Sequence, residues 1–167
     1  QQTTRWYINA YLYASGPDVL PLDESVVNGV QFGGKRNYGY GVTQLKDTQI
    51  VDLDDLDYSQ IEDADAFLIE VVTPFVLESE YPNAANQEVP WWWKERRDEL
   101  REREEKIVEQ RETYRLQTVD HGQVAVYEGN RPLKTAKSGI LRVGTHSKHG
   151  FGEFRVRPVD SLNQKYQ

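Results

Sequence analysis

Two glycine-rich loops of the same pattern are the part of this sequence best suited to bind an anion. The first runs from Gly33 to Gly41 and the second from Gly144 to Gly152. Each reads as one glycine, five further residues, and then Gly-aromatic-Gly. Corresponding glycines are separated by the same 111 residues, so the two loops form an internal repeat.

The residue types in both loops suit the backbone of a nucleic acid. Glycines allow positive φ angles and let a ligand approach the main chain closely. Successive exposed N–H groups then form a concavity that favours anions. Positive charge for phosphates comes from Lys35, Arg36, His146 and Lys148, and flat faces for stacking bases come from Tyr38, Tyr40, His149 and Phe151.

Two other interpretations of the loops remain open. In the first, the glycines serve only tight turns between short β-type stretches, which are 30–32 and 42–45 around one loop and 140–143 and 153–156 around the other. In the second, the loops bind a nucleotide cofactor. The spacing matches neither G-x-G-x-x-G nor the Walker pattern, and neither loop opens an evident helix, so we expect no cofactor.

The second loop also contains two histidines, His146 and His149. Histidine titrates near neutral pH and can act as acid or base toward a ribose 2′-hydroxyl. The same pair can serve simply as hydrogen-bond donors in the loop. No third ligand is close in sequence, which argues against a metal site. We treat the two histidines as the only weak candidates for catalysis.

The remaining chain predicts an α+β protein whose strands surround the loops. Strands are predicted at 5–13, 42–45, 66–77, 124–127, 140–143 and 153–157, with a short helical turn within 54–61. Pro74 lies inside the apolar strand and should force an edge, a bulge or a break there.

A long charged helix is predicted from Trp91 to Leu116. It follows Pro90, contains no glycine or proline, and places opposite charges three or four residues apart. Apolar side chains recur every seven residues along it, namely Trp93, Leu100, Ile107 and Tyr114. Such a helix is either a solvated surface element or a coiled-coil partner. Trp91, Trp92 and Trp93 either cover the sheet or form a partner-binding surface.

Charge is segregated along the chain. The net charge is −7, yet residues 131–157 contain seven Lys and Arg and a single acid, whereas residues 47–65 contain eight acids and no base. The acidic run lacks the EF-hand spacing and is expected to be a solvated loop. No cysteine is present, which rules out disulfides and a cysteine nucleophile but does not fix the compartment. No apolar run reaches membrane-spanning length, so we expect no membrane contact. We expect a cytoplasmic protein whose acid excess fits a salt-loving host.

Two stretches, FGGKRNYGYGV and GILRVGTHSKHGFGEFRV, resemble the glycine-rich loops of the RAMP superfamily of CRISPR-associated RNA-binding subunits. DADAFLIEVVTPFVL and VDHGQVAVYEG are similar to it more loosely. The resemblance implies ferredoxin-like, RRM-like antiparallel sheet modules. The short length implies one compact domain over 1–167, with helix 91–116 as an insertion and a frayed tail over 160–167.

The resemblance also implies a function in antiviral defence. The chain would be a non-catalytic RNA-binding subunit of a ribonucleoprotein complex, with RNA and other protein subunits as partners. By the resemblance, the RNA backbone or a neighbouring subunit would be contacted by Gly33, Gly34, Lys35, Arg36, Gly39 and Gly41, and by Gly144, His146, Lys148, Gly150 and Gly152. From their residue types alone, we add the rings of Tyr38 and His149 and the charge of Arg155 as RNA contacts. The alternatives are an assembly component of a mobile element or virus that uses the tryptophans and the long helix, and a histidine-dependent endoribonuclease.

Overall fold

The structure is a computed structural model that describes residues 5–10, 12, 24–32, 38 and 41–159. Two compact units are present, Gln1–Leu56 and Asp57–Gln167. The fold class is α+β, as predicted, with two small antiparallel sheets of three strands each. The single domain predicted over 1–167 stays a prediction, and the tail at 160–167 lies outside the described residues.

In the first unit, the described residues contain little regular structure. Helix α1 spans Glu24–Val27, and a 3₁₀ turn at Leu53–Asp55 is capped by the Asp52 side chain. Within the predicted strand 42–45, Val42 forms an isolated antiparallel bridge with Gln31, and Thr43 exchanges backbone hydrogen bonds with Gly29 and Val30, but no extended strand is formed. The strand predicted over 5–13 is not formed at residues 5–10 and 12, which are solvent-exposed.

The second unit contains the two sheets and the larger helix. In chain order its α-helices and strands are α2 (Ser59–Glu62), β1 (Phe67–Val71), β2 (Phe75–Ser79), β3 (Glu102–Glu109), β4 (Glu112–Val119), β5 (Val124–Val126), α3 (Pro132–Ile140) and β6 (Phe154–Pro158). Short 3₁₀ helices are present at Arg97–Glu99 and at Ser147–His149, within the second loop. One sheet has the strand order β5-β1-β6 and the other β2-β4-β3. Helices α2 and α3 pack on β6.

The predicted apolar strand over 66–77 is interrupted near Pro74, as expected. Strand β1 ends at Val71, β2 begins at Phe75, and the two strands enter different sheets. At the break, the N–H groups of Val72 and Thr73 both donate to the carbonyl of Glu153, at 2.9 and 3.1 Å. A proline cannot donate to a strand ladder, so the chain changes sheets here and its free N–H groups bond across the corner.

The prediction of a long helix over 91–116 is wrong. Residues 102–119 form the β3–β4 hairpin, which turns at Gln110 and Arg111. Charges along β3 pair at two-residue spacing, Arg103 with Glu105 at 3.1 Å, because alternate side chains of a strand share one face. The seven-residue apolar repeat misled the prediction, since Ile107 and Tyr114 are in fact directly opposite each other across the hairpin.

A second error concerns residues 140–143, where a strand was predicted. Ile140 is the last residue of α3, so the second glycine loop follows a helix rather than a strand. Pro132 is the first residue of α3, a position that proline favours because no N–H is needed there. Strands β5 and β6 confirm the predictions at 124–127 and 153–157, with every boundary within one residue.

The main core is built from residues of both sheets, of α3 and of the segment before β3. Fully buried side chains include Ile69 of β1 and Phe154 of β6, and Trp93 packs on Phe75 with ring centroids 5.6 Å apart. Ile107, Leu116 and Val76 form a separate small core under the hairpin. No helix in the part of the chain that the structure describes is long and apolar enough to cross a membrane.

Helix α3 approaches β6 through a glycine. A Cβ on Gly139 would lie 2.7 Å from ring carbons of Phe154 and would collide with the Phe154 carbonyl. Alanine normally stabilises a helix by about 1 kcal/mol relative to glycine. We expect Gly139→Ala to reverse that sign and to lower the free energy of unfolding by about 1–3 kcal/mol, because the buried contact is overpacked.

Urea unfolding followed by circular dichroism measures this effect. Ser138→Ala is the matched control in the same helix, since its hydroxyl only bonds back to the Lys134 carbonyl, and it should leave stability nearly unchanged. A Gly139→Ala protein as stable as the wild type would contradict the close packing of α3 on β6.

Candidate nucleic-acid interface

The two glycine loops are closed by the same hydrogen bond. The N–H of Phe32 donates to the carbonyl of Gly41 at 3.0 Å, and the N–H of Val143 donates to the carbonyl of Gly152 at 3.0 Å. These two pairs are related by the same 111-residue offset as the loops. The repeat that the sequence shows in composition therefore extends to backbone geometry at the base of each loop.

The closing glycines also have the same conformation. Gly41 has a φ of 76° and Gly152 a φ of 81°, both in the left-handed region that favours glycine. A Cβ on Gly41 would collide with the Phe32 carbonyl, and a Cβ on Gly152 would collide with the Val143 carbonyl. Glycine is thus required at both positions by strain and by close backbone approach.

Most of the first loop lies outside the described residues. This applies to the predicted contacts Gly33, Gly34, Lys35, Arg36 and Gly39 and to Tyr40. Tyr38 is described and is 79% exposed. The second loop is described throughout, so the geometry of a binding site can be examined there.

Left-handed backbone is concentrated in the second loop. Gly144 and Gly150 have φ values of 84° and 96°, His146 has a value of 64°, and Arg142, two residues before the loop, has a value of 63°. A side chain in this region costs about 1–2 kcal/mol per residue. Contacts to the 79–87 segment offset that cost, including a 2.7 Å hydrogen bond from the Thr145 hydroxyl to the Ala85 carbonyl.

The loop histidines pack against the end of β2. His146 Nε2 lies 2.8 Å from the Ser79 hydroxyl, and its ring meets the Tyr81 ring edge-on at 5.3 Å. The His149 ring lies 5.4 Å from that of His146 and 6.1 Å from that of Tyr81. Sequence analysis missed Ser79 and Tyr81, because they precede the loop by more than 60 residues and share no motif with it.

Burial lowers the pKa of His146 from its ordinary value, and the positive charges of His149 and Lys148 lower it further. His146 is therefore mainly neutral at pH 7 and acts as a hydrogen-bonding partner of Ser79. At neutral pH, the positive charge that the loop can offer to a phosphate therefore comes from Lys148 rather than from His146.

Tyr81 of this cluster and the adjacent Tyr114 donate hydrogen bonds to glutamates at the turn end of the β3–β4 hairpin. Tyr81 donates to Glu109 and Tyr114 donates to Glu112, each at 2.5 Å. The hydrogen bond to Glu112 raises the pKa of Tyr114 to about 12, and the bond to Glu109 raises that of Tyr81. These bonds partly satisfy two glutamates that face each other across the strands.

The two predicted cations of this region differ in their surroundings. Lys148 is exposed, and in the described part of the chain no carboxylate lies within ion-pair distance of its ammonium group. Arg155 is paired with Glu153 at 3.1 Å. Lys148 is thus the better placed of the two to bind a phosphate without first breaking an ion pair.

The three consecutive tryptophans have different environments. Trp93 is 4% exposed, and Trp92 is half-buried with its ring 5.1 Å from that of Phe154. Trp91 is 77% exposed. Of the predicted partner-binding tryptophans, Trp93 belongs to the main core, Trp92 packs against that core, and Trp91 presents most of its surface to solvent. Among the described residues, no three His, Asp or Glu side chains form a group that could hold a metal ion.

The requirement for glycine at position 152 can be tested against a second left-handed glycine. Gly150→Ala should cost about 1–2 kcal/mol of unfolding free energy from backbone strain alone, since nothing lies within 4 Å of its Cβ position. Gly152→Ala should cost about 1–3 kcal/mol more, because the Val143 carbonyl must also move. Urea unfolding measures both values, and equal losses in the two variants would contradict the described loop closure.

The altered titration of His146 can be measured directly. In proton–carbon NMR spectra recorded from pH 4.5 to 8.5, its ring should titrate below the ordinary value of 6.5, because burial disfavours the charged form. The folded protein then resists protonation at this site, so the contribution of His146 to stability is complete above pH 6.5 and falls as the pH is lowered below it. A midpoint at or above 6.5 would contradict this assignment.

Comparison of the chain with protein-family models, with curated proteins and with solved structures finds no match.

Proposed function

We propose that this protein is a non-catalytic RNA-binding subunit of a ribonucleoprotein complex, and that it binds the RNA backbone through its two glycine-rich loops. The same proposal includes the RAMP-like sequence pattern and a ferredoxin-like or RRM-like arrangement of modules. It also includes membership of a CRISPR-type complex and a cytoplasmic location. RNA and neighbouring protein subunits would be its partners.

The observation that carries this proposal is the shared geometry of the loop bases. Two loops 111 residues apart have the same closing hydrogen bond and the same left-handed glycine. A turn needed only for chain reversal does not require the cations and aromatic rings that both loops also contain. Retention of all these features in both loops favours a common ligand.

The second loop has the chemical groups that backbone binding needs. Lys148 is exposed and has no carboxylate partner among the described residues, and a ligand can approach the main chain at Gly150, where nothing lies within 4 Å of the Cβ position. His149 is exposed and lies beside Tyr81, so its ring can meet a sugar or a base. None of these groups discriminates among bases, which fits binding without sequence specificity.

An endoribonuclease is the second candidate, because two histidines and a tyrosine lie within 5.3–6.1 Å of one another by ring centroid. Acid-base cleavage needs two groups free to exchange protons with the substrate. The Nε2 atom of His146 is already engaged with Ser79, and that ring is packed against Tyr81. The arrangement therefore favours binding over cleavage.

Substitution of the loop cation tests the proposal. We expect Lys148→Ala to weaken binding of single-stranded oligouridylate and oligoadenylate of about 12 nucleotides by the same factor, because a phosphate contact is lost in each. The slope of log Kobs against log salt should become shallower by about 0.7 per phosphate contact removed. Fluorescence anisotropy at several salt concentrations measures both quantities.

Lys106→Ala is the matched control, since Lys106 lies on the hairpin beside Glu104 at 3.8 Å and outside both loops. It should bind RNA as the wild type does. Lys35→Ala and Arg36→Ala combined with Lys148→Ala should weaken binding further, and wild-type affinity in that triple variant would overturn the proposal. Denaturing gels of the same reactions should show intact RNA, whereas cleavage that requires His146 and His149 would favour the endoribonuclease.

A further inference from the structure

A cavity of about 440 Å³ lies at the start of the second glycine loop. Its size falls in the range of sites for small organic ligands, which is roughly 300–1,000 Å³. Val143 and Gly144, the last residue before the loop and the first residue of the loop, are part of its lining. The cavity therefore adjoins the proposed RNA-binding loop. The backbone contacts proposed for that loop do not use the cavity.

Aromatic rings line one side of the cavity and are held in place. Trp92 packs on Phe154 and Tyr127, with ring centroids 5.1 and 6.0 Å apart. The Tyr127 hydroxyl accepts the N–H of Arg131 at 3.1 Å and is bonded to the Thr135 hydroxyl at 3.0 Å. These contacts fix the rings before any ligand arrives, so little side-chain entropy would be lost on binding.

Trp91 also lines the cavity but is not part of that packing. It is 77% exposed, more than any other tryptophan of the second unit. A large indole left in water beside an aromatic-lined cavity offers a free face to a flat ligand. Stacking of a base on such a ring contributes about 1–3 kcal/mol.

The charged groups of the cavity favour an anion. Arg131 and Lys134 line it together with a single carboxylate, Glu88. Within the described residues, neither cation is ion-paired with a carboxylate. By contrast, Arg97 and Arg101 of the same unit are both in ion pairs, at 2.6 and 3.0 Å. A ligand with one planar face and one phosphate complements this combination of rings and free cations.

We propose that the cavity holds one unpaired nucleotide of the bound RNA, with its base on Trp91 and its phosphate at Arg131 and Lys134. This proposal rests on the RNA-binding function proposed above and adds a base-stacking site to its backbone contacts. Asn130 lines the same cavity and provides an amide group that can hydrogen-bond a base edge, whereas the Gln87 amide already donates to the Val76 carbonyl. The second loop would then hold the backbone while the adjacent cavity takes the base.

Mononucleotide probes test the cavity separately from RNA binding. Adenosine monophosphate should shift the indole signal of Trp91 in proton–nitrogen NMR spectra and should bind at least about tenfold more tightly than ribose 5-phosphate, which lacks the base. Trp91→Ala should remove that advantage, and Trp91→Phe should retain most of it. Because Trp91 is exposed, the fold should survive both changes, which thermal unfolding checks.

The cations are tested in the same way. Arg131→Ala with Lys134→Ala should make adenosine monophosphate bind no better than adenosine, because the phosphate contact is lost. Lys106→Ala with Arg111→Ala on the hairpin is the matched control and should change nothing. Equal affinity of adenosine monophosphate and ribose 5-phosphate for the wild type, or unchanged affinity in Trp91→Ala, would overturn the proposed nucleotide site.

RNA binding distinguishes failure of this site from failure of the proposed function. Trp91→Ala should weaken oligoadenylate binding about tenfold while leaving the salt slope unchanged, whereas Lys148→Ala changes the slope. RNA binding that depends on Lys148 but not on Trp91 would overturn the nucleotide site and leave the proposed function standing. Binding of adenosine monophosphate that requires Trp91, in a protein that binds no RNA, would support the site and overturn the proposed function.

Discussion

The second unit depends on a small set of backbone hydrogen bonds where the end of the second loop meets the corner between β1 and β2. Gly152 donates its N–H to the carbonyl of Pro74 at 3.0 Å, and its own carbonyl accepts the N–H of Val143. Glu153 accepts the N–H groups of Val72 and Thr73 and donates its own to the Thr73 hydroxyl. Only a residue without a Cβ can be placed at position 152, so these bonds require glycine there.

This corner explains how distant parts of the chain form one site. Strands β1 and β2 enter different sheets at Pro74, and the loop end bonds to the point where they separate. The body of the loop then lies against the 79–87 segment that continues from β2. His146 therefore meets Ser79 and Tyr81 on one side, while Gly144 borders the aromatic cavity on the other. The loop histidines, Lys148 and the aromatic cavity lie in one region because the hydrogen bonds of Gly152 fix the end of the loop at this corner.

The charged segment illustrates why local pattern was insufficient to predict its structure. Between Lys94 and Glu112 the sequence alternates charges at spacings that suit a helix, and its residues have high helix propensity. Propensity differences amount to only a few tenths of a kcal/mol per residue. When the segment forms strands, Leu116 and Ile107 are buried against Val76. The pairing of β4 with β2 also satisfies backbone N–H and C=O groups of both strands. Tertiary burial and sheet pairing therefore outweigh the local preference.

The sequence by itself determined the two loops, their constant offset, the strand break at Pro74 and the positions of β5 and β6 to within a residue or two. These features follow from glycine, proline and alternating apolar residues, whose effects are local. Only the tertiary structure decided that residues 102–119 form a hairpin, that α3 precedes the second loop, and that Ser79 and Tyr81 face its histidines. It also decided that Trp93 is buried while Trp91 borders a cavity lined by Arg131 and Lys134, which have no carboxylate partner among the described residues. These outcomes depend on contacts between residues far apart in the chain, and spacing along a single sequence does not encode such contacts directly.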